Sequence, residues 1–510
     1  AWQCGWPTVF VAASKATHDH RSTTSRYFTE EQLRTIVEVN YLLFLARTIR
    51  SPEVFRQLWT AAVQRLDLKA ALEEDAPAAE ALSRAAGIAQ TGPISPGGVM
   101  EDEYILGIGS GDVAVFPGRA PRLCRTVLVA SCYSPVPLSH GGAVRMYNLM
   151  QRVVPQYSQV LVTFVDQLHT PPPELLDICV EVVQVRRIGS HMREDRGQPD
   201  VVEDFNSKAF GAALGQTVRK WRPSVVQLEF TQMAQYAPSV APARTILVEH
   251  DITIDLYSQL LAHGPDPDTA DQLERWKRFE HWAWKTVDCV TLMSERDRGM
   301  VQGASRCIVL RNGVDIDRFR PAAVEPEASR LLFIGSFAHL PNQLALEFFL
   351  KSIWPLLEEL EPTLHVIAGD QHELHASRQR HRVDLPLDHP RIHVEGFVSD
   401  VRSAYSRAQI VIAPLLASAG TNIKIMEAMA SGKAIVSTSG GVHGLELEAG
   451  FEILVQDDPQ SFAGAIRKLM GDSEFRREIE RRARDKAVQA FNWDTIAAEQ
   501  TALYDELTRS

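Results

Sequence analysis

Apolar and polar positions along this chain follow two regimes. Up to about residue 120 the spacing is helical. Thr29 to Ile49 (TEEQLRTIVEVNYLLFLARTI) and Pro52 to Leu66 predict helices opened by the capping residues Thr29 and Ser51, and an Ala- and Glu-rich stretch runs from Ala70 to Ala89. Thr91 to Gly98 (TGPISPGG) reads as a linker. From Thr126 short apolar runs alternate with amphipathic segments. Candidate strands are Thr126–Ser131, Gln159–Phe164, Glu181–Val185, Ser224–Glu229, Thr245–His250, Asp288–Met293 and Cys307–Leu310. A second series follows at Leu331–Gly335, Thr363–Gly369, Arg391–Gly396, Gln409–Pro414, Ala434–Thr438 and Glu452–Val455. Strands alternating with helices are the signature of a parallel sheet covered on both faces, so the pattern predicts an α/β chain of two doubly wound Rossmann-like domains. Arg311–Asp315 reads as a turn between them, and Pro321–Pro326 as the connection.

Open parallel sheets bind ligands beyond the carboxyl ends of their strands, which places a shared cleft between two facing domains. One motif at that edge carries the most chemistry, Gly420 through Lys433 (GTNIKIMEAMASGK). Gly420 and Thr421 read as turn and cap, and Asn422 onward as a helix, with Lys424 in the first turn. A cation there is unfavourable unless an anion faces it, because the unpaired N–H groups already carry partial positive charge. A phosphate would satisfy both. Glu427, three residues on, shares the face of Lys424, while Ile423, Met426 and Ala430 read as core. The ammonium and N–H groups suit a diphosphate, and the carboxylate suits vicinal hydroxyls. The ordinary alternative is a surface Lys–Glu pair contributing ~0.2–0.5 kcal/mol.

In the first domain, Gly141 and Gly142 follow the first strand and open a helix, where backbone N–H groups can approach a phosphate; a tight turn is the plain alternative. His250 ends a strand at the cleft edge and Glu229 ends its neighbour, positions from which imidazole and carboxylate can meet a sugar hydroxyl, although a lone histidine is usually structural. The GxGxG string at Gly107, Gly109 and Gly111 continues into Asp112–Phe116 as strand or loop, against a dinucleotide site. Asp315-Ile316-Asp317 has the spacing of a metal-binding DxD but falls in the interdomain turn, so no metal site is read there.

Composition narrows the classes. At 510 residues, 45% hydrophobic and 23% charged, the chain has an ordinary globular make-up and room for two or three domains. A formal charge of -11 argues against nucleic acid as a partner. Cys4, Cys124, Cys132, Cys179, Cys289 and Cys307 form no CxxC pair, so neither a zinc site nor a disulfide framework is indicated, and a reducing cytoplasm fits. No apolar run approaches the ~20 residues of a membrane span, nothing resembles a signal peptide, and peripheral membrane contact is not indicated. The chain opens on Ala1, as a fragment or processed chain does.

The second half resembles the nucleotide-binding domain of group-one retaining glycosyltransferases of GT-B fold. The residues that carry the likeness are Arg311–Asp315 with Phe319 and Pro321, Phe333-Ile334-Gly335-Ser336 with Pro341-Asn342, Val366–Gly369, Val394–Val398, Gly420–Lys433, Ser437-Thr438 with Gly441 and Gly444, and Phe491-Asn492-Trp493. Matches in the first half are Pro137 with Gly141–Arg145, Glu229 in QLEFT, and Glu249-His250-Asp251. The likeness covers roughly residues 121–510. It implies GT-B domains facing across a cleft, with boundaries at 1–120 for a mainly helical extension, 121–320 for an acceptor-side domain, 321–490 for a nucleotide-sugar domain, and 491–510 for a helix returning to the first.

Two departures qualify it. The first of the family's paired glutamates is replaced by Ala419, as in a subgroup that carries small residues there. The basic pair that usually follows the first glycine of the nucleotide domain is replaced by Ser336–Leu340, which leaves Lys424 as the main diphosphate cation. The resemblance implies hexosyl transfer with retention from a UDP-, GDP- or other nucleoside-diphosphate sugar to a carbohydrate, lipid-linked or small-molecule acceptor, without cofactor or metal. His250, Lys424 and Glu229 would be catalytic. The donor would be held by Gly141, Gly142, Gly335, Ser336, Asn342, Val398, Gly420, Thr421, Asn422 and Glu427. A non-catalytic binding or scaffold protein, and a sugar-nucleotide hydrolase or epimerase, remain as alternatives because fold does not fix chemistry.

Overall fold

The computed structural model describes residues 27–90, 102–187, 197–263, 266–380, 382–417 and 421–509. Eight strands form the first sheet: β1 Val113–Pro117, β2 Thr126–Ser131, β3 Ser158–Val165, β4 Glu181–Arg186, β5 Val225–Glu229, β6 Arg244–Glu249, β7 Cys289–Leu292 and β8 Cys307–Val309. Their order is β1-β4-β3-β2-β5-β6-β7-β8. Six more form the second: β9 Arg330–Ile334, β10 Thr363–Ile367, β11 Ile392–Glu395, β12 Ile410–Ala413, β13 Ala434–Ser437 and β14 Leu454–Val455, in the order β11-β10-β9-β12-β13-β14. The central strands are continuous apolar runs because helices cover both faces; β2 and β3 are buried at every position.

Both sheets reverse their strand order beside one strand. In the first sheet β2 lies between β3 and β5; in the second β9 lies between β10 and β12. Each reversal opens a crevice at the carboxyl ends of these strands, the place where an open α/β sheet admits a ligand. Glu229 ends β5, and the segments that follow β2, β9 and β12 hold Gly141, Gly335 and Lys424.

At the N-terminus, α1 (Glu30–Thr48), α2 (Pro52–Leu72) and α3 (Ala76–Ala89) pack into their own core, with Leu42, Leu45, Leu66 and Ala81 almost fully buried. α1 begins with a capping box in which Thr29 and Gln32 bond reciprocally. The predicted break at Leu66 is absent: α2 runs on to Leu72, and Asp75 caps α3. The linker read at 91–98 lies outside the described residues.

The boundary expected at residue 120 also moves. After α4 (Asp102–Gly109), β1 pairs antiparallel with β4, from Val113 opposite Val185 to Pro117 opposite Glu181. The first sheet therefore begins before residue 120. An antiparallel edge strand needs no crossover helix, so the alternating pattern that marks the other strands is missing here.

The helix Trp493–Arg509 packs back on the first domain. Tyr504 donates its hydroxyl to Gln227 Oε1 at 2.5 Å, and Arg125 pairs with Asp505 at 2.6 Å. Where the chain crosses between domains, Val314 bridges to Asn492.

Candidate active site

The second domain brings a lysine and a glutamate to its crevice. The helix Ile423–Ala430 starts directly after the loop following β12 and buries Ile425, Met426, Ala428, Met429 and Ala430. Its cap is Asn422 and not Thr421. Thr421 instead accepts a 2.8 Å hydrogen bond from Asn312 Nδ2, which ties the loop to the interdomain turn, and Asn422 Nδ2 donates to Gly441 O at 2.6 Å. Lys424 occupies the second helical position, still within the positive end of the helix. Its Nζ donates to Asn342 Oδ1 at 2.9 Å. Burial lowers its pKa to about 8, against the partial support of Glu427.

Glu427 is pushed the other way. Burial raises its pKa to about 7, while Tyr405, Arg318 and Lys424 oppose the shift. The hydroxyl of Tyr405, itself buried, donates to Glu427 Oε2 and to Lys424 O, each at 3.1 Å, and so fixes the carboxylate one turn beyond the ammonium.

Gly335 directly follows β9 and lies under Asn342: a Cβ there would meet Asn342 Cγ at 2.9 Å. Asn342 Nδ2 donates to Ser336 O at 2.9 Å, so Gly335, Ser336, Asn342 and Lys424 form one connected wall. Val398 is half-buried against the cluster that contains Leu332 and Ile425. Gly420 lies outside the described residues.

The first domain contributes an imidazole held on two sides. His250 Nε2 lies 2.7 Å from Glu229 Oε2, with the two side chains 9% and 3% exposed. Gln227 Nε2 donates to the other Glu229 oxygen at 2.5 Å. The ring of Phe230 stacks on His250 with centroids 4.0 Å apart and planes 15° from parallel. Phe230 adopts φ 75°, which a side chain this size takes only when its surroundings impose it. Gly142 is what makes room: a Cβ there would lie 2.5 Å from Phe230 Cζ. The glycine is therefore required for packing, a role its sequence context did not separate from phosphate approach.

Gly141 faces the other domain. Its Cβ would meet Ile423 Cδ1 at 3.1 Å, so Ile423, half-buried against the second domain's core as its helical position suggested, also touches the first domain across the cleft. The helix α5 (Gly141–Val153) opened by Gly141 carries Arg145, 1% exposed, which donates to Leu310 O, Arg311 O and Asn312 Oδ1 at 2.7–3.0 Å. Arg145, Asn312 and Thr421 thus form a continuous hydrogen-bonded path from one domain to the loop before Lys424.

Three participants escaped the sequence reading. His140 caps α5, accepting from Ala143 N at 3.3 Å, and burial lowers its pKa to about 4, with His250 and His339 of the facing domain adding to the effect. Tyr133 packs edge-on against His140 and Phe230. Tyr405 holds Glu427 from a neighbouring helix. Only His140 had a local signal, its place directly before Gly141. Asp315 and Asp317 do not converge on a cation: Asp315 Oδ1 accepts from the backbone N–H groups of Asp317 and Arg318. Among the described residues no cluster of three or more His, Cys, Asp or Glu side chains has metal-site geometry, and no helix is long and apolar enough to cross a membrane.

Comparison with known proteins places these features in context. Residues 328–472 match the family model described as Glycosyl transferases group 1. An uncharacterized glycosyltransferase of Methanocaldococcus jannaschii is 25% identical over 189 residues, 36% of this chain, and the match spans 47% of that relative, about half its length. Sucrose-phosphate synthase from Thermosynechococcus elongatus superposes with a TM-score of 0.60 at 16% identity, covering 75% of this chain and 99% of that one. The Anabaena protein HepE, solved in complex with UDP-glucose, gives a TM-score of 0.54 at 15% identity over 75% of this chain and 100% of its own. These likenesses show the fold, which is GT-B with an added N-terminal helical part.

Proposed function

We propose that this chain is a glycosyltransferase that moves a hexosyl group from a nucleoside-diphosphate sugar to an acceptor hydroxyl with retention of configuration. The observation that carries the reading is the pairing of the two crevices: Lys424, at a helix start and bonded to Asn342, faces a cleft whose other wall holds the Glu229–His250 pair. In the reaction the bond from the anomeric carbon to the diphosphate breaks and one to the acceptor oxygen forms; the nucleoside diphosphate departs and the acceptor proton is released. Charge builds on the departing diphosphate. A fixed ammonium and aligned N–H groups aimed at that charge stabilise such a step more than anything else a protein usually offers it.

Glu427 is assigned to the ribose hydroxyls through the oxygen that Tyr405 does not take. His250, oriented by Glu229 and Phe230, is assigned to the transferred sugar, and Gly335, Ser336, Asn342, Thr421, Asn422 and the backbone near Val398 to the rest of the donor. Gly141 and Gly142 shape the first-domain wall. We propose that no metal or cofactor is needed, since Lys424 supplies the charge and Asp315 is committed to its turn. A cytoplasmic setting and a carbohydrate, lipid-linked or small-molecule acceptor complete the reading. The UDP and UDP-glucose bound in the HepE structures support a nucleotide-sugar donor.

The test is product analysis with labelled UDP-glucose and GDP-mannose across a panel of sugar acceptors, with and without chelator. Transfer that survives the chelator, with the product anomer matching the donor, is expected. Release of free sugar with no acceptor dependence would identify a hydrolase instead, and restoration by manganese of activity lost to the chelator would refute metal independence.

A further inference from the structure

Behind the imidazole, buried polar side chains line up where a sheet normally packs apolar ones. Alternation along β5 puts Val225, Gln227 and Glu229 on one face, and on that face Val225 joins an apolar cluster with Leu503, Tyr504 and Leu507 of the C-terminal helix Trp493–Arg509. Polarity sets Gln227 and Glu229 apart from that cluster. Burying an amide or a carboxylate is costly unless its hydrogen bonds are made, and no more than 4% of Gln227, Glu229, Gln500 or Tyr504 is exposed.

Their bonds form one chain that ends on His250. Gln500 Nε2 donates to the hydroxyl of Tyr504, which donates to Gln227 Oε1 at 2.5 Å. Gln227 Nε2 then donates to Glu229 Oε1 at 2.5 Å, and Glu229 Oε2 accepts from His250 Nε2 at 2.7 Å. The hydroxyl of Tyr504 has one proton to give, and Gln227 Oε1 takes it, which commits the amide NH₂ to Glu229. Burial, with the charge of Glu229 adding to it, raises the phenol pKa and keeps that proton in place. From Gln500 to Glu229 the donors thus run in one direction. The carboxylate remains an acceptor, and His250 holds its proton on Nε2.

We propose that Tyr504 is a positioning residue whose hydroxyl, through Gln227 and Glu229, sets the orientation and tautomer of His250. The inference rests on the assignment of His250 to the transferred sugar. Docking of the C-terminal helix does not depend on this hydroxyl: Arg125 pairs with Asp505 at 2.6 Å, Arg152 with Asp494 at 2.5 Å and Arg306 with Glu506, and the Tyr504 ring packs edge-on against Tyr157. The hydroxyl is left for the relay. The same helix starts at the crossing between domains, where a Cβ on Gly313 would lie 2.7 Å from Trp493. An imidazole of the first domain is therefore set by the segment that follows the second domain in the chain.

The test is NMR of the full chain carrying isotope-labelled histidine, with the His250 ring signal identified by its absence from His250→Ala, together with steady-state kinetics. Tyr504→Phe keeps the ring and removes the hydroxyl. It should move the His250 signal and lower kcat about fivefold, with the donor KM within twofold of the parent. Added to Glu229→Gln it should cost less than a further twofold, because both act on His250 through one carboxylate. Asp505→Ala, which frees the helix from Arg125 and Tyr157, should lower the melting temperature yet leave the His250 signal in place and kcat within twofold. If Tyr504→Phe does not fold, Gln500→Met, which removes the donor to the same hydroxyl, decides by the same signal. An unmoved His250 signal, losses that multiply in the double variant, or a KM that rises as kcat falls would overturn the relay. The signal is read without donor or acceptor, so a chain that transfers no sugar would refute the proposed reaction and leave this inference to the NMR.

Discussion

The two crevices are built on the same topological device and hold opposite chemistry. At the β9/β12 reversal the wall is charged: Lys424 at a helix start, with Asn342 and Glu427 around it. At the β2/β5 reversal it is aromatic and imidazole: Tyr133, His140, Phe230 and His250, with the carboxylate of Glu229 buried behind. On the proposed function, one side holds a strong anion, which needs fixed charge, and the other orients an uncharged group, which needs shape and directed hydrogen bonds. Substituting one wall at a time should therefore separate binding from chemistry.

The largest effect belongs to Lys424→Ala. Removing the ammonium should lower kcat/KM about 10²–10³-fold, as loss of one preorganised charge-stabilising group does elsewhere, with an unchanged melting temperature. A rate within twofold of the parent would remove Lys424 from the diphosphate. Glu427→Gln should act on nucleotide affinity, weakening it by about 1–3 kcal/mol through loss of a charge-assisted bond to ribose. Unchanged affinity would exclude Glu427. Glu229→Gln on the opposite wall should lower kcat about tenfold while leaving nucleoside-diphosphate affinity within twofold, because it acts through His250. Equal loss in both would contradict the division between the walls.

A smaller effect comes from pH. The Lys424 ammonium, with its pKa lowered to about 8, loses its proton as pH rises through 8, and anion binding weakens above it. The Glu427 carboxyl, raised to about 7, is protonated as pH falls through 7, which removes an acceptor for ribose hydroxyls. Nucleotide affinity should then peak between about pH 7 and 8, with Lys424→Ala abolishing the alkaline limb and Glu427→Gln the acid one. The smallest effect is expected for a chain starting at Glu101, whose donor affinity should stay within twofold, since all the donor contacts proposed lie after Pro137. Ile105 and Leu106 pack against the cluster formed by α1–α3, so some loss of stability should accompany the deletion.

What the sequence makes legible follows from how local each constraint is. Buried parallel strands declare themselves as continuous apolar runs, and the runs read from Thr126 onward begin and end within two residues of the observed strands. β1 does not, because an edge strand reached without a crossover helix has only DVAVF to mark it. In the site, Lys424 stands out because a cation at a helix start calls for an explanation that a single turn of sequence contains. Phe230 and Ile423 depend on partners some ninety and three hundred residues away, Gly142 and Gly141, and no local period records such contacts. For Thr421 the same holds: its neighbours fit a helix cap, while its actual partner is Asn312 of the interdomain turn.

The central claim, that the charged crevice exists to hold a diphosphate, is tested most directly by calorimetric titration of UDP and of uridine into the full chain and into its Lys424→Ala and His250→Ala variants. UDP should bind much more tightly than uridine, Lys424→Ala should erase most of this difference, and His250→Ala should leave it intact. Equal binding of UDP and uridine by the parent chain, or a difference that survives Lys424→Ala, would contradict the claim.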